Sequence, residues 1–253
     1  MIPRPELAQV RQKPIITKEQ KENYLTQLEQ KLIDLKRQLV SMASTVEEMV
    51  ANSMKSLIDR DPTFAEEVIA THEASVNRME MENEDTIINI MALHQPEASD
   101  LRTLAMAIKI NNDLERIGDH GVNIAQAALY LIPRPAVKPL VDLPRMSALV
   151  TTMLKDCLDA FARSDAQLAR GVCARDSAVD ELKNSIRQEL IRHMALDTAS
   201  IERSLQLLLI ALNLERIADL ATNIAEDVVY IVSGEDIKHG AGQQQSDAQP
   251  CQP

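Results

Sequence analysis

Aromatic residues are scarce in this chain of 253 residues, which has two phenylalanines, three tyrosines and no tryptophan. Glycine is also rare, with six residues, whereas alanine, leucine, isoleucine, valine and methionine are abundant. A β-sheet protein would use more aromatic and β-branched residues, so this composition favours helices packed on helices. We therefore expect an all-α fold.

Cysteine is equally scarce, and the three residues of this type are Cys157, Cys173 and Cys251. They form no C-x-x-C pair, and an odd number of scattered cysteines is not a disulfide framework. The first residues also lack the apolar run of a signal peptide. Together these absences predict a cytoplasmic protein.

Basic residues are in the minority. The chain has 27 lysines and arginines and 38 aspartates and glutamates, which gives a formal net charge of -11. Such an excess of acid opposes non-specific binding to nucleic acid or to an anionic membrane surface. The most apolar run, residues 205–214, is about half as long as a membrane-spanning helix needs to be. We expect no nucleic-acid binding and no membrane insertion; the expected partners are cations or proteins with basic surfaces.

The motifs of several common enzyme classes are missing as well. The chain has no G-x-x-x-x-G-K-[ST] loop, no G-x-G-x-x-G turn and no serine or cysteine nucleophile with a positioned base. An ATPase, a dehydrogenase and a hydrolase are therefore disfavoured. We expect that the protein is not an enzyme.

What the chain does have is hydrophobic spacing by threes and fours, which predicts six helices in two sets of three. Four prolines lie between residues 132 and 144, which excludes a regular helix there and indicates a domain boundary. The predicted helices cover residues 18–59, 63–94, 101–132, 146–163, 165–193 and 200–232. The predicted organisation is a loose leader at 1–17, a first three-helix repeat at 18–132, a proline-rich linker at 133–145, a second repeat at 146–233 and a mostly disordered tail at 234–253.

The strongest signal is a segment that occurs twice, one hundred residues apart. Residues 112–125 contain Leu-Glu-Arg-Ile-Gly-Asp and then Asn-Ile-Ala, and residues 213–225 contain Leu-Glu-Arg-Ile-Ala-Asp and then Asn-Ile-Ala in the same register. Such self-similarity indicates a duplicated unit and two pseudo-symmetric bundles. Each copy of this signature places a glutamate and an aspartate one helical turn apart.

The signature acids, Glu115 with Asp119 and Glu215 with Asp219, lie in a row that is otherwise apolar, so they should face a neighbouring helix. The second helix of each set offers residues that could face them. Carboxylates alone favour hard cations such as Mg, Mn or Ca and can also hold iron. The candidate ligands are Glu73, Asn77, Glu115 and Asp119 in the first half and Asp176, Asp180, Glu215, Asp219 and Glu226 in the second.

The second half is the better candidate, because Asp180 stands where the first half has the neutral Asn77. An alternative stays open at this point. The acids could lie on a solvated face and pair with Arg116 and Arg216, with no metal bound.

Taken together, these motifs resemble the PhoU family of accessory regulators of bacterial phosphate uptake. The resemblance rests on residues 95–102, 114–119, 156–163, 215–219 and 234–240, and it covers about residues 20 to 240. It implies two symmetry-related three-helix bundles in a cytoplasmic, commonly dimeric protein. It also implies metal clusters held by E-x-x-x-D motifs, which here match 115 with 119, 215 with 219 and 176 with 180.

Glu73 and Asn77 depart from the acidic pair that the family has at this place, which puts a full first-half cluster in question. The resemblance further implies a regulatory role. Members link a phosphate-specific ABC transporter to a membrane sensor histidine kinase and dampen both uptake and starvation signalling when phosphate is plentiful. The expected cofactor is a carboxylate-bound Mg, Mn or Fe ion.

Two other functions are alternatives to this one. A carboxylate-bridged di-metal oxidase would use Glu-x-x-His pairs, and no glutamate of this chain has histidine three residues on. A purely structural helical scaffold, with all its acids solvated, predicts that a chelator leaves the melting temperature unchanged.

Overall fold

The computed structural model describes residues 18–238, and their side chains from residue 26. The predicted leader and residues 239–253 of the predicted tail lie outside this range. Within it the chain is helical and has no strand, which confirms the all-α prediction. The helices are α1 Lys18–Asp59, α2 Pro62–Glu67, α3 Glu73–His94, α4 Ala98–Leu131, α5 Asp142–Arg163, α6 Ala166–Cys173, α7 Asp176–Leu196 and α8 Ile201–Ser233.

The second helix of each predicted set is interrupted near its start. A π-helical turn, Val68–His72, separates α2 from α3, and a short turn separates α6 from α7. Asp61 and Asp165 cap the starts of α2 and α6 with their side chains. The stretch from Asp61 to Glu73 is one residue longer than the stretch from Asp165 to Asp176, and a π turn is how a helix absorbs one extra residue.

The prediction for the linker was wrong at its end, because α5 begins at Asp142 and not at residue 146. Pro144 is the third residue of this helix, where no backbone N–H is needed for the first turn. Residues 132–141 have no regular structure and are held by both halves. Arg60 Nη2 donates to the Arg134 carbonyl oxygen (2.6 Å), and Arg203 Nη1 donates to the Pro135 carbonyl oxygen (2.7 Å).

The two central helices, α4 and α8, pack antiparallel to each other. The Tyr130 hydroxyl at the end of α4 donates to Glu202 at the start of α8 (2.7 Å), while Lys109 lies near Asp227 at the other end (3.8 Å). α1, α2 and α3 surround α4, and α5, α6 and α7 surround α8. This arrangement gives two tandem three-helix bundles, as predicted.

The core is continuous between the bundles. Equivalent apolar residues of the two signature segments are fully buried, and each contributes roughly 1.5–3 kcal/mol by leaving water. They are Leu114, Ile117 and Ile124 in α4 and Leu214, Ile217 and Ile224 in α8. None of the helices within residues 18–238 is both long and apolar enough to span a membrane.

A buried ion cluster also joins α4 to α8. The Asp227 side chain is 2% exposed, and its Oδ1 lies 3.1 Å from Lys238 Nζ in the segment that follows α8. That segment, residues 234–238, is also held by an ion pair between Glu235 and Arg170 (2.6 Å). Burial, together with the charge of Asp227, raises the pKa of Asp113 on α4 to about 6.

This shift makes a prediction for Asp113→Asn. The pKa of Asp113 is higher in the folded protein than the ordinary 3.8. Between these two pKa values the folded protein keeps a proton that the unfolded chain has released. Stability therefore falls as the pH rises from about 4 to about 6, and the full cost remains above that range. The variant avoids this cost, so it should be more stable than the wild type at pH 7 by on the order of 2 kcal/mol.

Urea unfolding of both proteins at several pH values checks this expectation. The difference in unfolding free energy should shrink toward zero as the pH falls to about 4. An advantage of the variant that did not change with pH would contradict the assigned titration.

Candidate carboxylate site

The buried residues of the signature decide where its acids point. With Leu114 and Ile117 in the core, Glu115 and Asp119 lie on the side of α4 that faces α3. α3 comes close to α4 at Gly118, where an added Cβ would lie 3.4 Å from Val76 Cγ1. In the second half Leu214 and Ile217 are buried in the same way, so Glu215 and Asp219 lie on the side of α8 that faces α7.

In the second half the structure brings together four of the five acids that the sequence predicts there, namely Asp176 and Asp180 on α7 and Glu215 and Asp219 on α8. Burial, followed by the charges of Asp180 and Glu215, raises the pKa of Asp176. Burial, followed by the charges of Glu215 and Asp176, raises the pKa of Asp219. The four carboxylates therefore share one groove and repel one another.

A lysine that the sequence analysis did not single out lies among these acids. Lys183 Nζ is 2.5 Å from Asp180 Oδ1 and 3.1 Å from Glu215 Oε1. The hydrogen bond to Asp180 raises the pKa of Lys183, against the opposing effect of burial, and Glu215 adds to the rise. Arg216 is a second cation here, with contacts to Glu215 (3.7 Å) and Asp219 (3.2 Å).

The first half has a different set of residues around Glu115. Burial, then the charge of Asp119, then that of Glu80, raises the pKa of Glu115. Glu80 was also missed by the sequence analysis, and it belongs to α3. Its backbone is fixed because Asn111 Nδ2 on α4 donates to the Glu80 carbonyl oxygen (2.9 Å). Arg116 pairs with Asp113 (3.4 Å).

An extension of the repeat alignment identifies both Glu80 and Lys183. Residues 73–77 align with residues 176–180, and three positions further on in the same register Glu80 aligns with Lys183. Among the predicted residues of α3, Glu73 is half-buried and Asn77 is exposed.

Glu226, the remaining predicted ligand, lies two turns beyond Asp219 near α6 and the segment that follows α8. Its Oε2 is 4.0 Å from Lys238 Nζ. Burial and then the charge of Glu226 raise the pKa of Cys173 on α6. This acid therefore has Cys173 and Lys238 as neighbours.

A metal ion needs several of these oxygens at one point. Among the side chains that the structure describes, no three or more from His, Cys, Asp and Glu are arranged to hold one. In the second half the ammonium of Lys183 already contacts two of the four acids. In the first half the oxygen donors are carboxylates with no lysine among them, and such donors suit a hard cation. Their oxygens are not directed at one common point in this structure.

The fold and this repeated site define a class of helical proteins built from two copies of one acidic three-helix unit. The family model for the PhoU domain matches this chain twice, over residues 39–128 and 143–228. The chain belongs to the PhoU family, which confirms the resemblance of its motifs.

Curated relatives and solved structures agree with this assignment. A phosphate-specific transport system accessory protein PhoU homolog from Caulobacter vibrioides is 42% identical over 179 residues, which cover 70% of this chain and 77% of the relative. A homolog from Aquifex aeolicus is 37% identical over 175 residues, which cover 69% and 79%. The crystal structure of PhoU from Pseudomonas aeruginosa has a TM-score of 0.79 and 36% identity, and the match covers 82% of this chain and 99% of that one.

The different surroundings of Glu115 and Glu215 make a prediction for their stability. Glu115→Gln removes repulsion from Asp119 and Glu80, so this variant should be more stable than the wild type by about 0.5 kcal/mol at pH 7. Glu215→Gln removes a partner of Lys183, so it should be less stable than the wild type. Denaturant unfolding in the presence of EDTA measures both, and a shift in the same direction for the two variants would contradict the assigned contacts.

Proposed function

We propose that this protein is a negative regulator of phosphate uptake and of phosphate-starvation signalling. The observation that carries this proposal is its membership of the PhoU family, whose curated relatives are named as accessory proteins of the phosphate-specific transport system. In this proposal the protein works in the cytoplasm as a homodimer. It binds a phosphate ABC transporter and a membrane sensor histidine kinase, and it restrains both when phosphate is plentiful.

An adaptor role, without catalysis, is consistent with the chain. Its relatives are named as accessory proteins, and its sequence has neither a nucleotide-binding loop nor Glu-x-x-His pairs. The net charge of -11 favours association with basic surfaces on partner proteins, since complementary charge speeds encounter and selects partners.

We further propose that the signature carboxylates bind a Mg, Mn or Fe cation. The support is physical: acids held together in a half-buried groove at neutral pH repel one another, and a bound cation removes that repulsion. Glu115 and Asp119 on α4 are near Glu80 on α3, and their oxygen chemistry suits such ions. A cation that contacts both helices would fix their relative position and with it the surface offered to partners.

The regulatory proposal predicts a phenotype. Deletion of the gene in its native host should raise alkaline phosphatase expression in phosphate-rich medium, because the restraint on starvation signalling is lost. The wild-type gene supplied in trans should restore low expression. Deletion that leaves alkaline phosphatase unchanged under these conditions would contradict the regulatory role.

The metal proposal predicts a loss of stability on metal removal. Dialysis against EDTA should lower the melting temperature, and Mn²⁺ at about one hundred times its dissociation constant should restore about 2.7 kcal/mol. Elemental analysis of the purified protein should find metal that is reduced by mutation of the signature acids. The variants to compare are Glu115→Gln with Asp119→Asn, and Glu215→Gln with Asp219→Asn. A melting temperature indifferent to both chelator and Mn²⁺ would favour the structural scaffold instead.

A further inference from the structure

The two repeats carry opposite charges at one equivalent position. Val76 of α3 and Val179 of α7 are both buried, as are Ile87 and Leu190 further along, so the two helices present their residues in the same register. Between these buried pairs, Glu80 of α3 and Lys183 of α7 occupy the same place. The duplicated grooves are therefore alike in shape and different in charge.

In the second half, Lys183 meets the acids as a bound cation would. Its side chain is 19% exposed, and its ammonium lies between Asp180 on its own helix (2.5 Å) and Glu215 on α8 (3.1 Å). Arg216 pairs with Asp219. Three of the four carboxylates of this groove therefore have a cationic partner supplied by the chain itself.

In the first half, the acids on α3 and α4 make no such ion pairs. Glu73, Glu80, Glu115 and Asp119 make no ion pair with lysine or arginine among the side chains from residue 26 to 238. Arg116, which matches Arg216, contacts Asp113 instead. Asp119 and Glu80 repel Glu115 in this groove, and the charge of Arg116 opposes that repulsion in part. None of the described lysines lies within ion-pair distance of these acids, so their charge is less compensated than that of the second groove.

We propose that Lys183 is the resident cation of the second half, so that a metal ion can enter only the first. This inference rests on the metal binding put forward above, and it reverses the preference for the second half that the acids alone suggest. A metal ion entering the second groove would have to displace an ammonium that already contacts Asp180 and Glu215, and it would repel that ammonium at close range. The second bundle keeps its shape whether or not metal is present, while the first responds to metal.

Exchanging the charges at this position tests the proposal. Full-length protein freed of metal with EDTA is titrated with Mn²⁺, and the amount bound is measured by calorimetry and by the electron paramagnetic resonance signal of free Mn²⁺. Lys183→Glu should create additional Mn²⁺ binding in the second half. Glu80→Lys should weaken the binding seen in the wild type by at least about tenfold, which corresponds to about 1.4 kcal/mol.

Matched controls separate this effect from a change in net charge. Lys155→Glu and Glu84→Lys make the same charge changes at exposed positions on α5 and α3, and both should bind Mn²⁺ as the wild type does. If Lys183→Glu folds poorly, as judged by circular dichroism, Lys183→Gln provides the second test. It should melt at a lower temperature than the wild type in EDTA and gain more stability from Mn²⁺ than the wild type does.

The possible outcomes distinguish this inference from the proposed function. If wild-type binding is lost in Glu215→Gln with Asp219→Asn and survives in Glu115→Gln with Asp119→Asn, the inference is overturned while metal binding stands. Equal binding by Lys183→Glu, Lys155→Glu and the wild type overturns it as well. If neither the wild type nor any variant binds Mn²⁺, both fail. If only Lys183→Glu binds, the role of Lys183 is supported and the proposed first-half site is lost.

Discussion

The packing of α4 against α8 is the contact on which the rest of the structure depends. Leu114 and Ile117 on one helix and Leu214 and Ile217 on the other are fully buried, so rotation of either helix would expose apolar surface to water. The acids of each signature lie in the same helical turns as these buried residues, so the orientation of the helix fixes the direction in which they point. The hydrophobic core therefore holds the signature carboxylates against α3 and α7 even though they repel one another.

On this shared frame the two repeats have diverged in their polar contacts. In the first half Asn83 donates to Asn111 (2.9 Å) in the buried interface of α3 and α4, where the second half has Ile186 and Ala211. The same divergence separates Glu80 from Lys183. A duplicated protein can thus keep one bundle as a constant scaffold and let the other respond to a cation. That division of roles suits the proposed regulator, which must change its surface without unfolding.

Much of the fold could be predicted from the sequence, because helical periodicity and the duplication of residues 112–125 are local signals. The helix boundaries were harder. Pro144 falls within the predicted linker but lies in the first turn of α5. The extra residue before Glu73 is visible in the sequence, but the sequence does not show that a π turn accommodates it. Of the five acids proposed for the second half, four lie in one groove, and Glu226 lies apart from them near Lys238. Their counter-ion, Lys183, was not predicted, because a protonated lysine is not a metal ligand and so was not among the candidate residues.

The cluster around Asp227 could not be predicted at all. It joins Asp113 on α4 with Lys238 after α8, and only the tertiary packing of the two repeats brings these residues together. Sequence patterns show which face of a helix is buried, whereas they do not show which charged residues of distant helices meet at a buried interface.

The most direct test of this account is anomalous diffraction from crystals of the protein soaked in Mn²⁺, with data collected on either side of the manganese absorption edge. The account predicts a peak in the groove between α3 and α4, beside Glu115 and Asp119, and none between α7 and α8, where Lys183 remains in contact with Asp180 and Glu215. A peak between α7 and α8, with Lys183 displaced and the first groove empty, would contradict it.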